Sequence, residues 1–288
     1  MMPMLARTRA GLAASRRSLG GTVVLVPTMG ALHDGHRALI RRARELVPPG
    51  GGVVVSIFVN PLQFGAGEDL DRYPRTLEAD MAVCAAEGVD VVFAPGRSQM
   101  YPRPQLITVD PGPIGRLLEG ESRPGHFAGM LTVVSKLLHL ADPVAAVFGE
   151  KDFQQLALVR HLVADLDLGV EIAGVPTVRD PDGLATSSRN RFLSAAERRT
   201  AVLIPAALRA GREAAHAGPA AVIKTAAEVL NTPADPPLAP DYLALVDPDT
   251  FEPVGDDFTG QARLLVAARA GTTRLIDNVA ASFARGAD

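Results

Sequence analysis

Five short stretches of this 288-residue chain carry residue types suited to phosphate and carboxylate chemistry. The first is PTMGALHDGH at 27–36, in which His33 and His36 stand three apart. On a helical turn that spacing brings two imidazoles to neighbouring positions. Gly30 and Gly35 remove side chains where a ligand would approach the backbone. A helix start placed after a parallel strand offers free N–H groups and the positive end of the helix dipole, both suited to phosphate. Imidazoles there can donate hydrogen bonds as charge builds on phosphoryl oxygens, and Asp34 suits a first-turn acid or cap. The plain alternative is a pair of surface histidines.

The second stretch is FGEKDFQQ at 148–155, again where a strand should give way to a helix. Lys151 can set a compact positive charge against phosphate oxygens. Asp152 can meet a sugar hydroxyl or a metal-bound water, and the amide of Gln155 can orient a small polar substrate. Ordinary helix capping by Glu150 or Asp152 competes with that reading. The third, TSSRN at 186–190, sets two hydroxyls and a guanidinium in sequence, able to wrap phosphate or to close over a bound nucleotide. A polar loop would look the same. The fourth spans 56–73 and contains FVNPLQF, where Asn60 and Gln63 follow a strand and Pro61 fixes the loop direction. The fifth, EGESRPGHF at 119–127, combines Arg123, Gly125 and His126, but spacing alone assigns it no chemistry.

The elements that must position these residues alternate two periods. Residues 22–26 (TVVLV), 53–59 (VVVSIFV), 90–93 (DVVF), 144–148 (VAAVF) and 170–175 (VEIAGV) are apolar or β-branched runs, as expected of strands buried on both faces. Helical patterns lie near 36–46, 76–87, 128–140 and 153–165; in the last, Phe153, Leu156, Val159 and Val163 form one apolar face. Such alternation predicts a Rossmann-like, doubly wound parallel sheet over residues 1–177. After residue 178 come an alanine-rich helical segment, 195–230, a proline-dense connector, 231–240, and short strands at 242–246, 263–267 and 273–277. These predict a smaller C-terminal α+β domain over 178–288.

Composition limits the alternatives. With 47% hydrophobic and 21% charged residues the chain can bury a substantial core. A net charge of -3 disfavours nucleic acid as a partner. The single cysteine, Cys84, precludes an intrachain disulfide and shares a helical face with Leu77 and Met81, as core packing requires. No apolar run is long enough to span a bilayer. Residues 1–21 hold Arg7, Arg9, Arg16 and Arg17 and no acid, faintly like a transit peptide; a surface helix in a cytoplasmic protein is the default. Neither G-x-G-x-x-G after the first strand nor G-x-x-x-x-G-K-[ST] is present, which disfavours dinucleotide oxidoreductases and P-loop enzymes. Zinc would need a third ligand beside the histidines, and the local sequence supplies none. Arg198 and Arg199 read as a solvated helix face, and the three tyrosines are scattered.

Together, PTMGALHDGH, FVNPLQF, EGESRPGHF with LTVVSKLL, FGEKDFQQ and TSSRNRFLS resemble the pantoate–β-alanine ligase family, in that family's order and across about residues 22–194. The resemblance implies that pantoate and ATP give pantoyl adenylate and pyrophosphate, after which β-alanine yields pantothenate and AMP. It implies ATP contacts at Met29, Gly30, Ala31, Leu32, His33, Asp34, Gly35 and His36, with His36 in the family role of proton donor. It extends those contacts to Gly149, Glu150, Lys151 and Asp152, and to Val178, Thr186, Ser187, Ser188 and Arg189 in a closing loop. It gives pantoate to Gln63 and Gln155, with Gln63 also beside β-alanine. Magnesium accompanying ATP and a homodimer are implied too, without identifiable metal ligands. His36, His33, Lys151, Ser187 and Arg189 are the candidates for catalysis. The family's closing loop usually reads M-S-S-R, whereas this chain has Thr186 in first place. Neither the attack on phosphorus nor the acyl transfer to the amine plainly needs a proton from imidazole, so the chemistry assigns His36 a larger electrostatic role. Two other readings stay open from the residues alone: another H-x-G-H nucleotidyltransferase, and a non-catalytic nucleotide sensor.

Overall fold

The structure is a computed structural model that describes residues 2–65 and 70–284. Residues 66–69, within the stretch from Gln63 to Tyr73 whose order the sequence leaves open, lie outside the described residues. Two compact units form: Met1–Glu150 with Gln154–Pro176, and Lys151–Phe153 with Thr177–Asp288.

In the first unit, strands β1 (Met4–Ala6), β2 (Val23–Thr28), β3 (Gly52–Ile57), β4 (Val91–Phe93), β5 (Ala145–Gly149) and β6 (Glu171–Val175) make one sheet in the order β1-β4-β3-β2-β5-β6. All five pairings are parallel. Successive side chains of a strand point to opposite faces, and both faces are buried here. Val23 and Leu25 join the core with Leu12 of α1 (Arg9–Ser18), Leu137 of α6 (His126–Ala141) and Leu156 of α7 (Phe153–Asp165). Val24 and Val26 join the other, with Ile40 of α2 (Asp34–Leu46) and Cys84 of α3 (Leu77–Ala86). Two short helices, α4 (Arg97–Met100) and α5 (Glu119–Ser122), complete this unit. Strand order reverses between β2 and β5, and ligands of open α/β sheets bind at the carboxyl ends of strands at such a switch.

β1 departs from the expectation of a surface helix leading straight into the first strand. Three residues carry almost no pattern: Met4 and Leu5 are 41% and 40% exposed, and only Ala6 is buried. Its pairing with Val91–Phe93, which no local signal announces, makes it a strand.

In the second unit, α8 (Ala195–Ala201), α9 (Leu203–Glu213) and α10 (Pro219–Leu230) cover an antiparallel sheet of β7 (Leu238–Val246), β8 (Gly260–Ala270) and β9 (Thr273–Phe283). These strands outrun the expected ones at one or both ends. β7 absorbs Pro240 because it is an edge strand and its register shifts between Pro240 and Tyr242, where a missing N–H is tolerated.

Candidate active site

The turn after β2 is built by hydrogen bonds that the sequence does not announce. The Thr28 hydroxyl donates to the Ser56 carbonyl at 2.7 Å and accepts from the Gly30 amide at 3.2 Å. Gly30 and Ala31 then take φ of 85° and 52°. For Ala31 the left-handed region costs roughly 1–2 kcal/mol, so something must hold it. Asp80 does: it is 2% exposed, and its carboxylate accepts from the Ala31 and Leu32 amides at 3.1 and 2.8 Å and from the Thr76 hydroxyl at 3.3 Å. A Cβ on Gly30 would stand 3.0 Å from both Asp80 Oδ2 and Ile57, so glycine also lets the clamp close.

The turn delivers His33 as N-cap of α2 and His36 in its first turn, with ring centroids 4.1 Å apart. The His33 backbone N–H donates to His36 Nδ1 at 3.2 Å. An accepting Nδ1 carries no proton, so the neutral His36 ring holds its proton on Nε2 and donates from there. Asp34 and Gly35 form the same turn of α2, and Asp34 pairs with Arg37 at 3.5 Å. Met29 lies beside Gln63, whose Nε2 donates to its sulfur at 3.3 Å. Of the expected set, the structure thus pairs His33 with His36 and Met29 with Gln63.

Gln63 is 8% exposed and doubly fixed. Its Oε1 accepts from Asn60 Nδ2 at 3.1 Å, and Asn60 Nδ2 also donates to the Gly129 carbonyl at 3.0 Å. Asn60 Oδ1 accepts from the Tyr101 hydroxyl at 2.8 Å and the Leu62 amide at 3.3 Å. Asn60 is therefore an internal tie. Burial pushes the Tyr101 hydroxyl up to about 12, so it stays a donor. From the other side His126 Nδ1 donates to the Gln63 carbonyl at 2.8 Å, while Arg123 Nη1 donates to His126 Nε2 at 3.1 Å. That accounts for Arg123 and His126 in EGESRPGHF, where spacing found no role. Gly129 completes the support: a Cβ there would fall 2.0 Å from the Leu62 carbonyl oxygen.

The adjacent glutamines of FGEKDFQQ divide their work. Gln154 is buried; its Nε2 donates to the Ile114 and Leu117 carbonyls at 2.8 and 2.9 Å, and its Oε1 accepts from the Glu119 amide at 3.1 Å. These bonds flank Leu118, whose φ of 48° and ψ of -106° need external support. Gln155 is half-buried, and among the described residues its side chain makes no hydrogen bond.

Gly149 ends β5 and Glu150 belongs to the first unit, whereas Lys151 and Asp152 belong to the second. Lys151 Nζ is 3.6 Å from Asp152, and the Lys151 carbonyl accepts from Asn278 Nδ2 at 2.9 Å. Asn278 Oδ1 in turn accepts from Arg263 Nε at 2.6 Å. The Arg263 guanidinium lies 4.1 Å from the Phe153 ring centroid, and that ring is 6.0 Å from Phe251.

The closing-loop residues form a second cluster in the same unit. Val178 accepts the Thr186 amide at 2.9 Å, and Ser187 caps a 3-10 turn, Ser188–Phe192, by accepting from the Arg189 amide at 3.3 Å. Arg198, expected on a solvated face, instead donates to Asp180 and Asp182 at 2.7 Å each, because both carboxylates face its helix. Burial raises the affinity of Asp180 for a proton, but bonds from Thr186, Arg198 and Asn190 outweigh it and hold the carboxyl below its usual range.

Among the described residues no group of three or more His, Cys, Asp or Glu side chains could hold a metal ion. Asp80, the buried acid nearest the turn, spends both oxygens on the chain itself. A protein-built magnesium cage does not fit this donor set. No helix among the described residues is long and apolar enough to cross a membrane.

The Pantoate-beta-alanine ligase family model matches residues 2–280. A pantothenate synthetase of Thermobifida fusca is 59% identical, with 96% of this chain and 95% of that protein covered. One of Nocardia farcinica is 57% identical, with 94% and 83% covered. Among solved structures, the pantothenate synthetase of Thermus thermophilus superposes with a TM-score of 0.90 at 48% identity, covering 96% of this chain and 98% of that one. A ligase from Francisella tularensis, described as complexed with beta-gamma ATP and beta-alanine, gives 0.78 at 35% identity, covering 96% and 97%. Both units are matched in sequence and in fold: the chain belongs to the pantoate–β-alanine ligase family.

Proposed function

We propose that this protein condenses pantoate with β-alanine at the expense of ATP, through pantoyl adenylate. In the first step a pantoate carboxylate oxygen attacks the α-phosphorus and pyrophosphate leaves with the bonding electron pair. In the second the neutral amine of β-alanine attacks the acyl carbon, AMP leaves, and the amine nitrogen loses a proton. Neither step uses a side-chain nucleophile. What catalysis needs is alignment and fixed positive potential where phosphoryl charge builds.

The observation that carries this reading is the turn after β2. Asp80 locks its backbone, and the His33 amide holds His36 through Nδ1, so that the ring proton lies on Nε2. A donor fixed in advance costs no reorganisation during reaction, so we assign His36 to phosphoryl oxygens as a hydrogen-bond donor, with His33 beside it. The same reading assigns Lys151, Ser187 and Arg189 to phosphate oxygens, and the backbone of 29–36, 149–152, Val178 and 186–189 to the nucleotide. Gln63 and Gln155 orient pantoate, and Gln63 meets β-alanine. The first unit then serves as the nucleotide- and pantoate-binding domain and the second as its smaller cap. ATP enters as its magnesium complex, the ion being held by phosphate oxygens and water as part of the substrate. We further propose a cytoplasmic homodimer.

The test is pantoate-dependent exchange of labelled pyrophosphate into ATP without β-alanine, followed by release of AMP when β-alanine is added. Absence of exchange from folded protein with magnesium refutes the adenylate route. Nucleotide retained in the product would point instead to a nucleotidyltransferase. Sedimentation at several concentrations tests the dimer.

A further inference from the structure

Residues 187–189 are bracketed by a single carboxylate. Asp180 Oδ1 accepts from the Thr186 hydroxyl at 2.6 Å, just before the tripeptide. Its Oδ2 accepts from Asn190 Nδ2 at 3.1 Å, just after it. Asp180 is itself fixed: its amide donates to the Leu184 carbonyl at 2.8 Å, its carbonyl accepts from Gly183 at 2.8 Å, and Arg198 Nη2 donates to Oδ2 at 2.7 Å. Arg198 is braced in turn by Asp182, whose Oδ2 accepts from Nε at 2.7 Å. Asn190 Nδ2 makes a second bond, to the Ala185 carbonyl at 3.1 Å, while its own Oδ1 is buried without a hydrogen-bond donor among the described residues. An orphaned buried acceptor is costly, so the orientation of this amide is set by what Nδ2 does: it ties the far end of the tripeptide back to its start.

We propose that Asp180, Thr186 and Asn190 are positioning residues that hold Ser187–Ser188–Arg189 in its nucleotide-binding shape before nucleotide arrives, with the Thr186 hydroxyl supplying the contact at the near end. The family motif commonly places a methionine at that position, which cannot donate to a carboxylate. Here the hydroxyl makes a charge-assisted hydrogen bond to Asp180, and such bonds are about twice as strong as neutral ones. The proposal rests on the assignment of 187–189 to ATP, so its test has an arm that does not depend on activity.

The experiment compares the full-length wild type with Thr186→Val, which keeps the shape and loses the hydroxyl, and Thr186→Ser, which keeps the hydroxyl. Amide-proton exchange of the free protein, read over 184–193, should quicken about tenfold in Thr186→Val and stay near wild type in Thr186→Ser. In the pyrophosphate-exchange assay KM for ATP should rise about tenfold in Thr186→Val alone, with kcat and KM for pantoate unchanged within about twofold. Equal amide exchange in all three proteins overturns the preset loop. Faster amide exchange with unchanged KM for ATP overturns its role toward the nucleotide. A uniform rise in both KM values makes the contact a general structural one and also overturns the proposal. If the wild type shows no pyrophosphate exchange, the functional reading fails, and with it the assignment of the tripeptide to ATP, while the amide-exchange arm still decides whether Thr186 orders the loop.

Discussion

Gly129→Ala is a one-carbon change that should strike pantoate and largely spare ATP. The added Cβ would stand 2.0 Å from the Leu62 carbonyl oxygen, 2.3 Å from the Leu62 carbonyl carbon and 2.7 Å from the Gln63 amide nitrogen. Real Cβ contacts essentially never fall below 3.0 Å, so α6 and the Pro61–Gln63 turn must separate by at least 1.0 Å, the difference between 3.0 and 2.0. Both partners are backbone, so no side chain can rotate away. Overpacking of this kind costs about 1–3 kcal/mol. The separation also pulls the Gly129 carbonyl from Asn60 Nδ2, now at 3.0 Å, and with it the bond that aims Gln63. A 1 Å misplacement of a positioning group can cost on the order of 100-fold in rate. The expected result is a loss of about 100-fold in kcat/KM for pantoate in the pyrophosphate-exchange assay, KM for ATP within about threefold, and a melting temperature lower by a few degrees. A variant melting lower yet using pantoate normally would refute the link between α6 and Gln63. Loss of ATP affinity equal to that of pantoate would show that the damage is not local.

Four further outcomes follow from the geometry. His36→Gln sets an amide near the Nε2 position and His36→Asn near Nδ1; donation from Nε2 predicts that Gln retains activity within about tenfold while Asn loses roughly 100- to 1000-fold in adenylate formation, and the reverse order would make the ring a helix cap only. Asp80→Asn turns one hydrogen-bond acceptor toward the Ala31 and Leu32 amides into a donor, so KM for ATP should rise about tenfold or more with KM for pantoate little changed; proportional rises in both would refute the clamp. Burial, helped by nearby Asp80, pushes the Cys84 thiol up to about 12, so a thiol reagent at pH 8 should find no reactive cysteine in folded protein and one per chain in denaturant. Asp180 and Asp182 are both depressed, so the stabilisation they give the 178–192 loop should persist above the usual carboxylate range and fade as pH falls through their folded values; amide exchange there that is flat across acid pH would contradict it.

The strands β2 to β6 were legible because runs such as VVVSI at 53–57 are buried on both faces, leaving a continuous apolar signal. β1 was illegible because its identity comes from a partner about 87 residues away, Met4 against Val91. The site divides in the same way. His33, His36, Gln63 and Lys151 stand out as candidates from motif and spacing. Asp80 could not, because its partners Ala31 and Leu32 lie 49 and 48 residues earlier and the left-handed backbone they share leaves no mark at Asp80. Asn60 and Gln154 show the same limit: nothing in the sequence marks that their side-chain hydrogen bonds all go to the protein itself. Arg198 was misread because an arginine beside Arg199 on an alanine-rich helix gives no hint of Asp180 and Asp182.

Lys151–Phe153 sits, by sequence, in the middle of the first unit and, by packing, in the second. The backbone of Lys151 is therefore held by Asn278, and Phe153 packs against Phe251 and Arg263, all more than 90 residues downstream. A gene fragment ending at Pro176 would encode every strand of the parallel sheet and still leave Lys151–Phe153 without Asn278, Phe251 and Arg263. A graft at the junction after Pro176 would separate these three residues from the segment of this chain that they pack against. Recombination that respects this fold must carry 151–153 and 251–278 together.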